Sequence, residues 1–218
     1  MTYKESFIKF MADSGVLKFG EFTLKSGRVA PYFINCGNYK TGKQLAKLGE
    51  YYAECIHEHN LQPEILFGPA YKGIPLSVAA CTGLFNKFGY DCSYCFDRKE
   101  VKDHGEGGMF VGQELKDGDK VVIIDDVMTS GKALREVLPK LTSAAKIDVV
   151  GMVITMDRAE KGLNTTKSAV QDVHDEFGIN VYSIVNINDV IDALENGIIP
   201  GAEYVDKMKE YRKTYGVD

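Results

Sequence analysis

In the stretch VVIIDDVMTSGKA (121–133), two aspartates stand side by side where an apolar run ends. Val121–Ile124 read as a buried strand, and Asp125 and Asp126 sit at its carboxyl end. The turn that follows, Met128-Thr129-Ser130-Gly131, offers backbone N–H groups and two hydroxyls at the start of a helix, which suits an anion such as phosphate. Carboxylates repel phosphate, so the acids would serve its neighbour. They can accept hydrogen bonds from a sugar diol or hold water on a magnesium ion. Together the two halves describe a site for a ribose 5-phosphate. The plainer reading is a pair of acids favouring a helix dipole.

Other segments carry related chemistry. Gly68-Pro-Ala-Tyr71-Lys72-Gly73 brackets a lysine on a tight loop, where N–H groups and an ammonium suit a diphosphate; otherwise Lys72 is a surface lysine. Residues 98–108, RKEVKDHGEGG, hold Arg98, Lys99, Lys102 and His104 among three acids and almost no apolar residues. Such a segment cannot bury itself, and a mobile cationic loop can close over a polyphosphate. Lys25-Ser-Gly-Arg28, Pro31-Tyr-Phe33-Ile34 and Arg158 combine aromatic rings and guanidinium groups, which suits a planar acid. Gly37 to Gln44 is a rival: G-x-x-x-x-G-K, lacking the hydroxyl that would ligate magnesium in a P-loop, so it reads instead as a loop with Thr41 capping a helix. Cys92-x-x-Cys95 stands alone and reads as small residues in a half-buried strand rather than a redox or metal motif. His57-Glu-His59 reads as a solvated helix end.

The elements that must hold these residues follow from periodicity. Residues 3–13 are helical in pattern. Residues 17–35 alternate, with turns at Gly20 and Ser26-Gly27, and predict short antiparallel strands. A helix is expected from Thr41 to about residue 60. Strand and helix then alternate: strands at 64–68, 92–97, 120–125, 148–156 and 180–185, and helices at 72–87, 131–143 and 165–177, with two short helices at the end. That rhythm predicts a parallel sheet covered on both faces, with ligands at the carboxyl ends of its strands.

The 218 residues, 44% hydrophobic and 26% charged, suit one soluble α/β domain. A net charge of −5 argues against nucleic acid as a partner. Five cysteines are an odd number and predict no disulfide framework. Lys4, Glu5, Lys9 and Asp13 break any signal-peptide core, and no run reaches the ~18–20 apolar residues of a membrane span. A cytoplasmic protein without a membrane partner is expected.

The 121–133 stretch resembles the signature of the type I phosphoribosyltransferases. FTLKSGR, PYFIN, GPAYKGIPL and RKEVKDHGEGG are similar to segments of orotate phosphoribosyltransferases in particular. The resemblance implies an α/β fold of the type I phosphoribosyltransferase kind: a central, mainly parallel twisted sheet flanked by helices, with a small N-terminal hood of helix and antiparallel strands. Residues 1–218 would be one domain, with about 1–40 as the hood contributing to the base pocket and about 41–218 as the core. The implied reaction joins orotate and 5-phospho-α-D-ribose 1-diphosphate (PRPP) into orotidine 5′-phosphate, a step of pyrimidine biosynthesis. By the same resemblance Lys102, His104, Asp125 and Asp126 would be catalytic. PRPP would meet Lys25, Tyr71, Lys72, Arg98, Lys99, Lys102 and His104, with Asp125, Asp126, Val127, Met128, Thr129, Ser130, Gly131, Lys132 and Ala133. Orotate would meet Phe33, Ile34, Thr129 and Arg158. Magnesium would be held through PRPP and water, with no direct protein ligand. A homodimer is implied, with loop 98–108 reaching the neighbouring site. So is a non-proline cis peptide, here at Ala70–Tyr71. Two positions depart from the family pattern: Ile34, where a second aromatic is common, and Lys132, where threonine is usual. A purine-type enzyme and a non-catalytic PRPP-sensing regulator on this fold are the alternatives.

Overall fold

The computed structural model describes residues 1–24, 26–102 and 108–217. Helix α1 (Tyr3–Asp13), closed at its start by a Thr2–Glu5 capping box, leads into the antiparallel pair β1 (Leu17–Thr23) and β2 (Val29–Ile34). After α2 (Gly42–Glu58), strands and helices alternate. They are β3 (Ile65–Phe67), α3 (Gly73–Phe88), β4 (Ser93–Lys102), β5 (Gly108–Gly112), β6 (Lys120–Ile124), α4 (Lys132–Ala144), β7 (Asp148–Asp157), α5 (Ala169–Phe177), β8 (Val181–Asn186), α6 (Ile187–Glu195) and α7 (Val205–Tyr215). The main sheet has the order β5-β4-β3-β6-β7-β8. Its strands are parallel except β5, which runs antiparallel to β4.

The period of two along each central strand divides the core between the sheet's two faces. Leu66, Val122, Ile124 and Val153 face a cluster that includes Phe7, Tyr32, Leu48, Tyr52 and Val190 from the N-terminal elements and α6. Ile65, Phe67, Val121, Ile123, Met152 and Ile154 face the other cluster, with Leu134, Val137 and Leu141 of α4 and Val173 of α5. Helices on both faces explain why these strands read as unbroken apolar runs. The β1–β2 pair shares the first cluster, so the N-terminal elements are tied to the sheet by common apolar packing.

From β3 the chain moves outward to β4, then returns to place β6 on the other side of β3. The crevice beyond the carboxyl ends of β3 and β6 is therefore the topological switch point, where open α/β sheets bind ligands. Gly68–Lys72 and Asp125–Gly131 are the loops that leave these two strands.

The structure differs from the sequence expectation in two places. The charged stretch after residue 97 is not all loop: β4 continues through Lys102, and Asp97 and Phe110 pair across the β4–β5 ladder. An edge hairpin tolerates such charge because one side of its backbone is paired and the other faces solvent. Helix α5 begins at Ala169 rather than 165, because Ser168 and Gln171 form its capping box. The stretch Gly37–Gln44 is, as expected, a loop with Thr41 capping α2 rather than a P-loop. Gln44 Oε1 accepts from the Lys40 and Thr41 N–H groups at 2.9 and 3.1 Å, so the chain itself occupies that helix start.

Candidate active site

The acid pair is held from three directions. Tyr52 of α2 donates its hydroxyl to the Asp125 carbonyl at 2.7 Å. Thr155 of β7 donates both its N–H and its hydroxyl to the Asp126 carbonyl, at 2.9 and 2.5 Å. The Asp126 N–H donates to Asp125 Oδ1 at 2.8 Å, and the Val127 N–H to Asp126 Oδ1 at 2.9 Å. The two carboxylates thus spend part of their charge on their own backbone. Lys72 donates to Asp126 Oδ2 at 2.7 Å, across the gap between the β3 and β6 loops. That bond raises the Lys72 ammonium above its ordinary value, and it stays protonated. Among the described residues, no cation pairs directly with Asp125. Burial pushes its carboxyl up to about 6, the Asp126 N–H and Lys72 pull it down, and the Asp126 charge adds to the rise.

Close packing sets the β3 loop. A Cβ on Gly68 would stand 2.2 Å from the Gly73 carbonyl oxygen, and one on Gly73 2.9 Å from the Ile124 carbonyl oxygen. Glycine lets the loop backbone lie directly against the end of β6. The Ala70–Tyr71 peptide is cis, where the family resemblance placed it. Asp97, 3% exposed, reaches this loop from β4: Oδ1 accepts the Ala70 N–H at 2.8 Å and Oδ2 takes Lys140 at 2.7 Å. The Tyr71 ring is 71% exposed at the loop's tip.

Helices α3 and α4 both start at the crevice, and neither has a side-chain cap. In contrast, α1, α2, α5 and α6 all carry capping boxes. The start of α3 is already used by its own loop, since the Gly73 N–H donates to the Pro69 carbonyl at 3.0 Å and the Ile74 N–H to the Tyr71 carbonyl at 3.4 Å, whereas the first N–H groups of α4 are left for an anion. Gly131 leads into α4 at φ +68°, where a Cβ would meet Val173 at 2.8 Å. Thr129 and Ser130 lie in this turn. Lys132 points into solvent, its side chain 80% exposed, and pairs with Glu136 of its own helix at 3.6 Å.

Arg158, just past β7, meets β2. It donates to the Tyr32 hydroxyl at 3.2 Å, and to Glu160 Oε1 from Nε at 3.0 Å and a terminal nitrogen at 2.6 Å. Tyr32 donates to the same oxygen at 2.9 Å, and Arg28 stands 3.7 Å from Oε2. Burial works against the Arg158 charge, but Tyr32 and Glu160 outweigh it and raise the group overall. Ala159 turns through φ +47°, stabilised by its N–H on Asp157 Oδ1 at 2.8 Å. The expected arginine fork for a planar acid is thus partly taken by Glu160. Phe33 lies on the opposite face of β2 from Tyr32 and stacks on Phe22 at 5.5 Å. Ile34 packs against the core. Among the described residues, no hydrogen bond or ring contact ties Phe33 or Thr129 to Arg158.

The structure therefore joins Lys72 with Asp126, sets Asp125 beside them and places 127–133 at the α4 start. Arg98 and Lys99 stand on β4, next to β3. The Arg98 Nε is buried with no partner among the described residues. Lys25 and His104 fall outside the described residues, as does the Lys102 side chain. Asp97, Lys140, Glu160, Tyr52 and Thr155 were not singled out from the sequence. Each is an isolated polar residue whose partner lies 27 or more positions away, except Arg158 beside Glu160, and only that last spacing was a visible signal. Among the described residues, no three His, Cys, Asp or Glu side chains are grouped as a metal cage, and no helix is long and apolar enough to cross a membrane.

The profile of the phosphoribosyl transferase domain matches residues 35–184. An orotate phosphoribosyltransferase of Lachnoclostridium phytofermentans is 48% identical over 99% of this chain and 98% of its own length. One from Clostridium acetobutylicum is 48% identical with the same coverage. The crystal structure of orotate phosphoribosyltransferase from Francisella tularensis superposes with a TM-score of 0.86 at 43% identity, covering 97% of this chain and 99% of that one. With this likeness running nearly end to end and its switch-point loops built as described, the chain belongs to the orotate phosphoribosyltransferase family of phosphoribosyl transferase domain proteins.

Proposed function

We propose that this chain transfers the 5-phosphoribosyl group of PRPP to orotate, giving orotidine 5′-phosphate and diphosphate in pyrimidine biosynthesis. The observation that carries the reading is the switch-point site, where Lys72 and Asp126 bridge the β3 and β6 loops at 2.7 Å beside the uncapped start of α4. It matches a ligand with phosphates at both ends of a ribose. The α4 turn, Thr129 to Gly131, receives the 5-phosphate on its N–H groups. Asp125 and Asp126 accept hydrogen bonds from the ribose hydroxyls. Tyr71 and Lys72 take the diphosphate, with Arg98 and Lys99 approaching from β4.

The bond from ribose C1 to diphosphate breaks ahead of full bonding to orotate N1, so the ring gains oxocarbenium character. Negative charge builds on the departing diphosphate. Lys72, Arg98, Lys99, Lys102 and His104 stabilise it more in the transition state than in the ground state, which is what lowers the barrier. The carboxylates at 125–126 face the ring as positive charge develops. Orotate is received by the base pocket of Phe33, Ile34, Thr129 and Arg158, beneath a hood formed by residues 1–40, with Lys25 reaching in from its hairpin. The donor set fits magnesium held through substrate oxygens and water, since two adjacent acids, with no third grouped beside them among the described residues, suit a cation that keeps several waters. Bound there, magnesium would neutralise diphosphate charge. The family resemblance further supports a cytoplasmic homodimer in which loop 98–108 of one subunit serves the other's site.

Mixing protein, orotate, PRPP and magnesium and following orotate's ultraviolet absorbance tests the reading. The absorbance should fall only when all four are present. No change with orotate, with consumption of adenine or hypoxanthine instead, would overturn it.

A further inference from the structure

Five cysteines are spread through the chain, and two of them meet although nothing in their spacing points to it. Cys95, the partner suggested by the C-x-x-C spacing, is buried within β4. Cys92 instead approaches Cys81 of α3, with their sulfurs 3.6 Å apart. Both are free thiols and both are only half-buried, whereas Cys55 and Cys95 are buried.

The meeting is not a chance approach of a loose loop. Helix α3 ends at Gly89 in the left-handed region at φ +65°, its N–H bonded back to Leu84 and Phe85. Tyr90 then donates its hydroxyl to the Pro63 carbonyl at 3.0 Å. Ser93 begins β4 and is paired with Ile65, and its carbonyl accepts from Cys81 at 3.4 Å. The segment between the two cysteines is therefore fixed at both ends. A disulfide needs sulfurs about 2.05 Å apart, so each must move by less than about 1 Å, within reach of side-chain rotation.

We propose that Cys81 and Cys92 form an oxidisable dithiol, a modification site that closes into a disulfide stapling α3 to the start of β4 when peroxide is the oxidant. Cys92 is the attacking sulfur. The Cys81 thiol is held by the Ser93 carbonyl at 3.4 Å, whereas the Cys92 thiol has only the weakly accepting Cys81 sulfur at 3.6 Å and is the freer to ionise. Its thiolate attacks one peroxide oxygen, the O–O bond breaks, and hydroxide leaves, giving a sulfenic acid on Cys92. The Cys81 sulfur then attacks the Cys92 sulfur, the S–O bond breaks, and water leaves with the thiol proton. In total two thiols lose two electrons and two protons, and one peroxide becomes two waters. The other cysteines lack such a resolving neighbour: Cys36 faces the Thr155 hydroxyl, and Cys55 and Cys95 are enclosed.

The test treats the intact protein with hydrogen peroxide, then alkylates it under denaturing conditions and weighs it. Three of the five thiols should remain alkylatable, with fragmentation placing the bond between peptides 73–87 and 88–98 at Cys92. Dithiothreitol should restore all five. Cys95→Ser should still form the bond, while Cys81→Ser and Cys92→Ser should not. Five alkylatable thiols after treatment, a bond through Cys95, or only higher sulfur oxides on separate cysteines would overturn the proposal. The wild-type mass alone decides it should a variant fail to fold.

Discussion

Replacing Asp125 with asparagine should make the protein more stable and less active, and the gain should depend on pH. Burial raises the Asp125 carboxyl from its ordinary 3.8 to about 6 in the folded chain. The folded state therefore holds this proton more tightly than the unfolded state does. Below pH 3.8 both states are protonated and nothing is lost. As pH rises from about 4 to about 6, the unfolded chain releases its proton first, and folding stability falls. A shift of about 2 pH units at 1.36 kcal/mol each is a cost of about 3 kcal/mol above pH 6. This is an upper figure, because Asp125 retains some contact with solvent. Asparagine keeps an oxygen for the Asp126 N–H but never ionises, so it escapes the cost. Urea unfolding of the two proteins should give nearly equal stabilities at pH 4. At pH 7.5, Asp125→Asn should lead by up to about 3 kcal/mol, or roughly 6–12 °C in melting temperature for a chain of this size. The wild-type kcat/KM should fall on the acid side near pH 6, as the same carboxyl loses its charge, and Asp125→Asn should lose that limb along with much of its rate. A stability difference that stays constant from pH 4 to 7.5 would refute the reasoning, since the burial cost would then not reside in this group.

Other perturbations separate site from support. Lys102→Ala should lower kcat by about 10²–10³-fold with both substrates saturating, the scale of removing one charge-stabilising donor; near-normal turnover would remove Lys102 from the mechanism. Glu160→Gln should raise the KM for orotate about tenfold, while the KM for PRPP changes little, because Arg158 loses the carboxylate that aims it; steady-state kinetics with each substrate varied would show equal changes if Glu160 only braced the fold. Gly68→Ala should cost at least 1–3 kcal/mol in chemical denaturation, since its Cβ would overlap the Gly73 carbonyl. Lys132→Thr should leave stability within about 0.5 kcal/mol and the KM for PRPP unchanged, as its only described partner is an exposed glutamate one turn along.

What could be read from the sequence was the part of the site built from neighbours in the chain. An anion cradle is made of consecutive N–H groups, so Met128 to Gly131 announce it, and a lysine between glycines is conspicuous at 72. The parallel sheet was legible for a similar reason: strands buried on both faces, such as Val121–Ile124, leave continuous apolar runs. Strand β5 was not, because an edge strand owes its structure to backbone pairing with β4 and needs no apolar pattern. The supports were also hidden. Asp97 looks like one more surface acid until the fold brings Ala70 and Lys140 to it, and Tyr52 looks like any apolar-face tyrosine of α2 until its hydroxyl meets the Asp125 carbonyl.

These supports explain how two adjacent acids can persist at the end of a buried strand. Asp126 is neutralised by Lys72 and its own turn, while Asp125 is left with a raised proton affinity and, among the described residues, no paired cation. The asymmetry gives the pair two different behaviours. Lys72 would divide one positive charge between Asp126 and an incoming diphosphate, since one of its three N–H donors is committed at 2.7 Å and two remain for the ligand. If PRPP binds as proposed, its diphosphate would draw Lys72 charge away from Asp126, and its ribose hydroxyls would then be the donors for both carboxylates. The ligand would therefore supply, from its sugar, what its diphosphate takes from the lysine. A bare diphosphate lacks those hydroxyls, so by this reasoning Lys72→Met should weaken diphosphate binding more than it weakens PRPP binding, which calorimetric titration of both ligands would measure; equal losses would mean that Lys72 and the acid pair act independently.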